Sequence, residues 1–74
     1  MIILKMRKAL GFSVRNFRES LGISQEEAAY RCCMDVRVYG NVERGVDNFE
    51  IETLEKIVEG LGMYSKHFDL SAMD

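Results

Sequence analysis

The chain has 74 residues, enough for one small domain, and its 47% hydrophobic and 30% charged residues are typical of a globular protein rather than a disordered segment. Its net charge is −2, but residues 1–23 carry five cations against one carboxylate, while residues 24–74 carry five cations against eleven carboxylates. This distribution excludes a uniformly basic nucleic-acid binder and confines any phosphate-binding surface to one part of the protein.

The chemistry-bearing residues are few and exclude several classes of protein. Cys32 and Cys33 are adjacent and are not expected to form a bridge, which indicates reduced thiols in a cytoplasmic protein. The single histidine, His67, lies too far along the chain from both thiols to indicate a metal site. No run approaches the ~20 apolar residues of a membrane span, and no catalytic set or phosphate-binding glycine loop is present. We therefore expect no enzyme, cofactor, metal, small-molecule ligand or membrane partner.

The first predicted elements are an N-terminal arm over residues 1–9 and a domain over residues 10–70, followed by a tail at 71–74. The arm begins with apolar residues, and cations follow them at once. This pattern is equally compatible with a frayed arm and with an ordered element. A first helix is predicted by apolar residues at helical spacing: Leu10, Val14, Phe17 and Leu21. Gly22 is expected to end it.

Two short helices are predicted next. Ser24 and Glu27 have the spacing of a capping box and open a second helix of about two turns. Its predicted inner face is small: Ala28, Ala29 and Cys32. Asp35 is the next expected cap, and it opens a third helix with Tyr39 and Val42 inward and Gly45 at its end.

After a loop at residues 46–49, the sequence predicts a fourth helix and a short fifth helix in the segment from Met63. The fourth is indicated by Ile51, Leu54, Ile57, Val58 and Leu61, and Gly62 is expected to end it. Four to five short helices with tight connections predict a compact all-α domain.

The link at residues 32–35 is too short for antiparallel neighbours and suits two helices that cross steeply, as in a helix-turn-helix. From about residue 10 to 68 the chain resembles the phage repressor/Cro-like (XRE-type) helix-turn-helix family. The resemblance is carried by Leu10-Gly11, Arg15, Arg18, Gly22-Ile23-Ser24-Gln25-Glu26-Glu27-Ala28-Ala29, Glu43-Arg44-Gly45, Glu52-Thr53-Leu54-Glu55-Lys56-Ile57 and Leu61-Gly62. A weaker similarity, to controller proteins of restriction–modification systems, rests on Tyr39-Gly40 and the run at 42–45.

This resemblance implies a lambda-repressor-like domain and a sequence-specific DNA-binding transcriptional regulator. Its third helix, about residues 35–44, would read bases through Val36, Arg37 and Asn41. Arginine can bind guanine, asparagine can bind adenine, and valine can pack on a thymine methyl group. Arg37 could instead contact phosphate or remain solvated. Gly40 could allow a close approach of DNA, belong to a dimer contact, or reflect drift.

The resemblance also implies contacts to the DNA backbone and one structural ion pair. The backbone contacts would come from Ser24, Gln25, Arg44 and Asn48. Gln25 could instead be a solvated residue in the first turn of its helix. Arg18 and Glu43 would pair between the first and third helices, the alternative being two independent surface charges.

Three departures from the family pattern indicate weak binding of the DNA backbone. Cys33 stands where the family commonly has glycine, and Asp35 where serine or threonine is common. The loop at 46–49 lacks the cations often found there. An antitoxin-like or anti-repressor interaction module, with weak or no DNA binding, is therefore the alternative function.

A homodimer on a palindromic operator is expected. The apolar residues of the carboxy-terminal part are more than one small core readily hides, and they form the predicted dimer interface: Leu61, Met63, Tyr64, Phe68 and Leu70. Phe68 could instead pack into the core of its own subunit.

Overall fold

The computed structural model describes residues 2–46 and 50–63, with side chains from Met6 onward. Within these residues the chain forms four α-helices: α1 (Ile2–Ser20), α2 (Gln25–Arg31), α3 (Val36–Arg44) and α4 (Ile51–Leu61). The predicted all-α class is confirmed. The expected fifth helix, the tail and most of the 46–49 loop lie outside the described residues.

The first helix is longer than expected. It begins at Ile2, so residues 2–9 of the predicted arm are ordered as the first half of α1. Its leucine, lysine, methionine, arginine and alanine residues are all strong helix formers, and no glycine or proline interrupts them. This half packs on the end of α3, because an added Cβ at Gly45 would lie 2.8 Å from the Cα of Lys8. Leu21, the last residue of the predicted apolar stripe, falls beyond the end of α1 and is exposed.

The two helices that flank the turn, α2 and α3, are each capped by the predicted residue. The Ser24 hydroxyl accepts a hydrogen bond from the Glu27 amide at 3.1 Å, while the Glu27 carboxylate accepts one from Arg31 at 3.0 Å. The Asp35 carboxylate accepts from the Arg37 amide at 2.8 Å. These caps define the helix-turn-helix, and in the described residues Cys33 is the non-glycine residue with a positive φ, 56°.

The core lies where the four helices meet. Its buried hydrophobic residues are Val14, Ala28, Ala29, Cys32, Tyr39, Val42, Ile57, Leu61 and Met63. Two glycines allow helices to approach closely there. An added Cβ at Gly11 would lie 2.3 Å from the carbonyl oxygen of Val42, and one at Gly60 would lie 2.7 Å from that of Arg31. Glycine is therefore required where α1 crosses α3 and where α4 crosses α2.

The end of α4 corrects part of the predicted dimer interface. Leu61 and Met63 are 6% and 1% exposed and belong to the core of this chain. Gly62 has φ 74°, and the Met63 amide donates to the Val58 carbonyl at 2.9 Å, so the chain turns back there toward the core. Tyr64, Phe68 and Leu70 lie outside the described residues.

None of the helices in the described part is long and apolar enough to cross a bilayer.

Candidate nucleic-acid interface

Helix α3 divides into a buried side and an outward side. Tyr39, Val42 and Glu43 are buried. The outward side carries two of the predicted base-reading residues, since Val36 is 37% exposed and the Arg37 side chain is 90% exposed. Asn41 is half-buried at the edge of this side.

Val38 also lies on the outward part of α3, and the sequence reasoning missed it. It is 50% exposed, more than Val36. The signal was available in the spacing, because Val38 does not share the helical repeat that places Tyr39 and Val42 in the core. The exposed residues at the start of α3 are thus two valines, which suit apolar contact, one on each flank of Arg37.

A carboxylate stands beside this surface, where α3 begins. The Asp35 side chain that caps α3 also lies 3.7 Å from Nε of Arg37. Both side chains are largely exposed, so the pairing is weak and easily exchanged. Part of the positive charge on the outward side is therefore balanced within the protein.

The structure brings Arg18 and Glu43 together. Nε of Arg18 donates to Oε2 of Glu43 at 2.7 Å, and its Nη2 donates to Oε1 at 3.2 Å. The same guanidinium donates through Nη1 to the Ile23 carbonyl at 3.0 Å. Side-chain exposure is 12% for Arg18 and 2% for Glu43. One side chain of α1 thus holds both α3 and the segment that leads into α2.

The protonation of this pair follows from its contacts. Burial is the largest influence on Glu43 and disfavours its charge, but Arg18, the neighbouring Tyr39 phenol and Gln25 together outweigh burial and hold the pKa of Glu43 below its usual range. The hydrogen bond to Glu43 raises the pKa of Arg18 further. Burial, and next the adjacent Glu43 carboxylate, raise the pKa of the Tyr39 phenol. The network is therefore a fixed ion pair beside a neutral phenol at neutral pH.

The residues predicted to contact the DNA backbone differ in the hydrogen bonds that they already make within the protein. Gln25 donates through Nε2 to Oε1 of Glu43 at 2.9 Å, so its side chain is oriented by the ion pair. The Ser24 hydroxyl serves as the α2 cap. Asn48 lies outside the described residues.

Arg44 lies across the outward side of α3. A Cβ added at Gly40 would lie 3.3 Å from Nη1 of Arg44 and 3.5 Å from Oε1 of Gln25. The other end of the guanidinium donates through Nη2 to Oδ1 of Asn41. The Arg44 side chain therefore rests over Gly40, between Gln25 and Asn41.

A polar cleft of about 300 Å³ joins α1 to this surface; Arg15, Arg18, Gln25, Glu43 and Arg44 line it. Arg15, one of the residues that carry the family resemblance, lies three residues before Arg18 on the same side of α1. Its side chain is exposed and pairs with Glu19 at 3.3 Å.

Comparison with known proteins agrees with this geometry. A helix-turn-helix family model matches residues 14–67. The chain belongs to the helix-turn-helix family. The predicted XRE-type resemblance is thereby confirmed.

Two curated relatives and one solved structure illustrate this helix-turn-helix family. A hypothetical transcription factor of Neisseria meningitidis serogroup B is 36% identical over 78% of this chain and 55% of its own length. This chain therefore spans just over half of that relative. The control protein C.BamHI of Bacillus amyloliquefaciens is 34% identical over 82% of this chain and 76% of its own length. The restriction–modification controller protein C.Esp1396I, solved as a tetramer with its natural 35-base-pair operator, has a TM-score of 0.76 and 27% identity. That match covers 89% of this chain and 83% of the other.

Proposed function

We propose that this helix-turn-helix chain is a sequence-specific DNA-binding transcriptional regulator of the cytoplasm, without catalytic activity, that places α3 in the major groove. The observation that carries the proposal is the two-sided α3. Its inner side is fixed to α1 by the Arg18–Glu43 pair, and its outer side exposes a valine and arginine surface. A fixed helix with an exposed reading side is what direct readout requires.

Base reading would use the outward residues of α3. Arg37 has the exposure and the donor geometry to bind O6 and N7 of a guanine. Val36 would pack on a thymine methyl group, and Val38, on the other flank of Arg37, offers a second apolar contact. Asn41 remains a predicted base contact at the edge of this surface.

Backbone contacts would flank the reading helix. One of the two N–H donors of the Gln25 amide is used by Glu43, which leaves the second to donate to a phosphate oxygen. Arg15 offers a cation on the same side of the polar cleft. Ser24, Arg44 and Asn48 remain predicted backbone contacts. Such contacts position the protein without reading sequence.

The protein would act as a homodimer; self-association is supported by the tetramer in which the controller protein C.Esp1396I was solved with its operator. In place of Leu61 and Met63, α4 offers Ile51, which is 67% exposed, with the half-buried Leu54 and Val58 on the same stripe. Tyr64, Phe68 and Leu70 stay predicted contributors. A two-fold dimer would set two copies of α3 about 34 Å apart, one turn of DNA, on a palindromic operator.

The alternative is a protein-interaction module with weak or no DNA binding. It is favoured by Asp35, whose 56% exposed carboxylate would face the phosphates at the start of the reading helix.

Selection of binding sites from a random DNA pool, followed by Kd measurements, tests the proposal. The selected sites should be palindromic, and Arg37→Ala should lose about 5- to 150-fold of discrimination at one base pair in each half-site. Arg31→Ala is the matched control, because this exposed arginine belongs to α2, where it pairs with Glu27, and not to the reading helix. The absence of any selected sequence at low salt would favour the interaction module. Ile51→Asp should shift the sedimenting species toward the monomer; an unchanged dimer would refute the assigned face.

A further inference from the structure

The cations of the chain are concentrated toward its amino-terminal end. Residues 1–23, which include α1, carry five cations against one carboxylate, whereas residues 24–74 carry five against eleven. The segment that follows α3, residues 46–49, has one carboxylate and no cation. A cation that contacts DNA near the end of α3 must therefore come from α3 itself or from an element packed against it.

The first half of α1 meets the end of α3 through a contact between backbones. A Cβ added at Gly45, the residue that ends α3, would lie 2.8 Å from the Cα and 2.9 Å from the amide nitrogen of Lys8. It would also lie 3.0 Å from the carbonyl oxygen of Arg7. The glycine allows this close approach, because the backbone of a helix cannot move aside as the tip of a long side chain can. The packing of two helices therefore fixes the position of Lys8 relative to α3.

Lys8 projects along the same side of α1 as Arg15. The two residues are seven positions apart, which is two turns of one continuous helix and about 10 Å along its axis. Arg15 lines the polar cleft together with Gln25 and Arg44, at the edge of the outward side of α3. Lys8 therefore extends this side of α1 from the cleft toward the end of α3.

Lys8 differs from Arg15 and Arg37 in that no carboxylate balances its charge. Arg15 pairs with Glu19 at 3.3 Å, and Arg37 lies 3.7 Å from Asp35, so a phosphate would have to displace a carboxylate from each of these arginines. The Lys8 side chain is exposed and forms no ion pair within the described part of the chain. A phosphate at Lys8 would displace only water and counterions.

We propose that Lys8 binds a phosphate of the operator backbone, and that the first half of α1 is thereby part of the DNA interface. One strand of B-DNA carries a phosphate every ~3.4 Å along the duplex axis, so two cations about 10 Å apart on α1 contact different phosphates. The contact positions the protein and carries no sequence information. This inference rests on the proposed function, and it adds a residue that neither the base-reading set nor the predicted backbone contacts include.

The salt dependence of DNA affinity tests this contact. Kd values for the selected operator and for an unrelated duplex are measured between about 50 and 200 mM salt. Lys8→Gln should weaken both DNAs by the same factor and make the slope of log affinity against log salt shallower by about 1 per bound subunit. Lys8→Arg keeps the charge and should keep the wild-type slope. Lysine, glutamine and arginine are similar helix formers, so the Tm of both variants should stay near that of the wild type.

Lys56→Gln is the matched control. Lys56 is also exposed, forms no ion pair in the part of α4 that the structure describes, and lies outside the polar cleft. Its replacement changes the net charge by the same amount, yet the wild-type slope should be retained. Ethylation of single operator phosphates locates the contact directly. One phosphate in each half-site should interfere with binding of the wild type when ethylated, and should not interfere with binding of Lys8→Gln.

Three results would overturn the inference. An unchanged slope in Lys8→Gln would show that this lysine touches no phosphate. An equally shallow slope in Lys56→Gln would assign the effect to net charge. A changed base preference in Lys8→Gln would make Lys8 a base contact. In each case the wild type still binds its operator, and the proposed function stands. Failure of the wild type to bind any DNA would instead refute the proposed function itself, and this inference with it.

Discussion

The turn between α2 and α3 holds a residue whose backbone conformation disfavours any side chain. Cys33 has φ 56°, in the left-handed region, and its thiol is exposed. In that region the Cβ of an L-residue crowds the following carbonyl oxygen at a cost of roughly 1–2 kcal/mol. Glycine has no such cost. Cys33→Gly should therefore stabilise the fold while giving up little buried surface.

The size of the gain follows from two opposing terms. Removal of the Cβ relieves roughly 1–2 kcal/mol in the folded state. Glycine also enlarges the unfolded ensemble, which offsets about 0.4–1 kcal/mol of that relief. The net increase in the free energy of unfolding should be about 1 kcal/mol, which for a domain of this size raises Tm by about 4–8 °C.

Thermal melts followed by circular dichroism, under reducing conditions, measure this gain. Cys33→Ala is the matched control, since it removes the thiol but keeps the Cβ and hence the strain, so its Tm should stay near that of the wild type. Equal stabilisation by the two variants would assign the effect to the thiol. A lower Tm for Cys33→Gly would refute the reasoning, because it would mean that the cysteine side chain contributes more than its backbone conformation costs.

Three further predictions concern the helix crossing, the ion pair and the cap of α3. Gly11→Ala should destabilise the domain by about 3 kcal/mol in chemical denaturation, because its Cβ would lie 2.3 Å from the Val42 carbonyl oxygen. Unchanged stability would mean that α1 and α3 cross less closely. Glu43→Gln should cost about 3 kcal/mol at pH 7 by leaving the Arg18 charge unpaired. Because the folded-state pKa of Glu43 is lowered, its contribution is complete above about pH 4.3 and is lost as the pH falls through that lower pKa. The stabilities of wild type and variant should therefore converge in acid, and a constant gap would contradict this assignment. Asp35→Ser should keep the cap and lower the Kd for operator DNA by removing a carboxylate beside the phosphates; an unchanged Kd would place Asp35 away from the backbone.

Local chemistry made much of the fold predictable. Small residues at helical spacing identified the inner face of α2, and the caps Ser24 and Asp35 identified where α2 and α3 begin. Tyr39 and Val42 are buried as the spacing predicted. These features depend on interactions within a few residues, which a single sequence contains.

The features that the sequence did not predict depend on contacts between segments that are distant in the chain. The start of α1 lacks a cap signal, and its fit against Gly45 is a contact between distant segments. Leu61 and Met63 are apolar, but apolarity alone does not distinguish a core residue from an interface residue. The placement of Arg44 over Gly40 needs the side-chain geometry as well as the spacing.

The buried and the outward sides of α3 carry different residues. Substitutions that change DNA recognition therefore need not change the stability of the fold. Tyr39, Val42 and Glu43 carry the packing and the ion pair that hold the helix. Exchanges at the outward positions Val36 and Val38 should change stability by no more than about 0.5 kcal/mol, as substitutions away from such contacts usually do. A few changes at such exposed positions would thus alter the operator that the proposed regulator selects, while the buried side of α3 stays intact. The exposed residues of α3 can therefore be exchanged without redesign of the core, in natural divergence as in protein engineering.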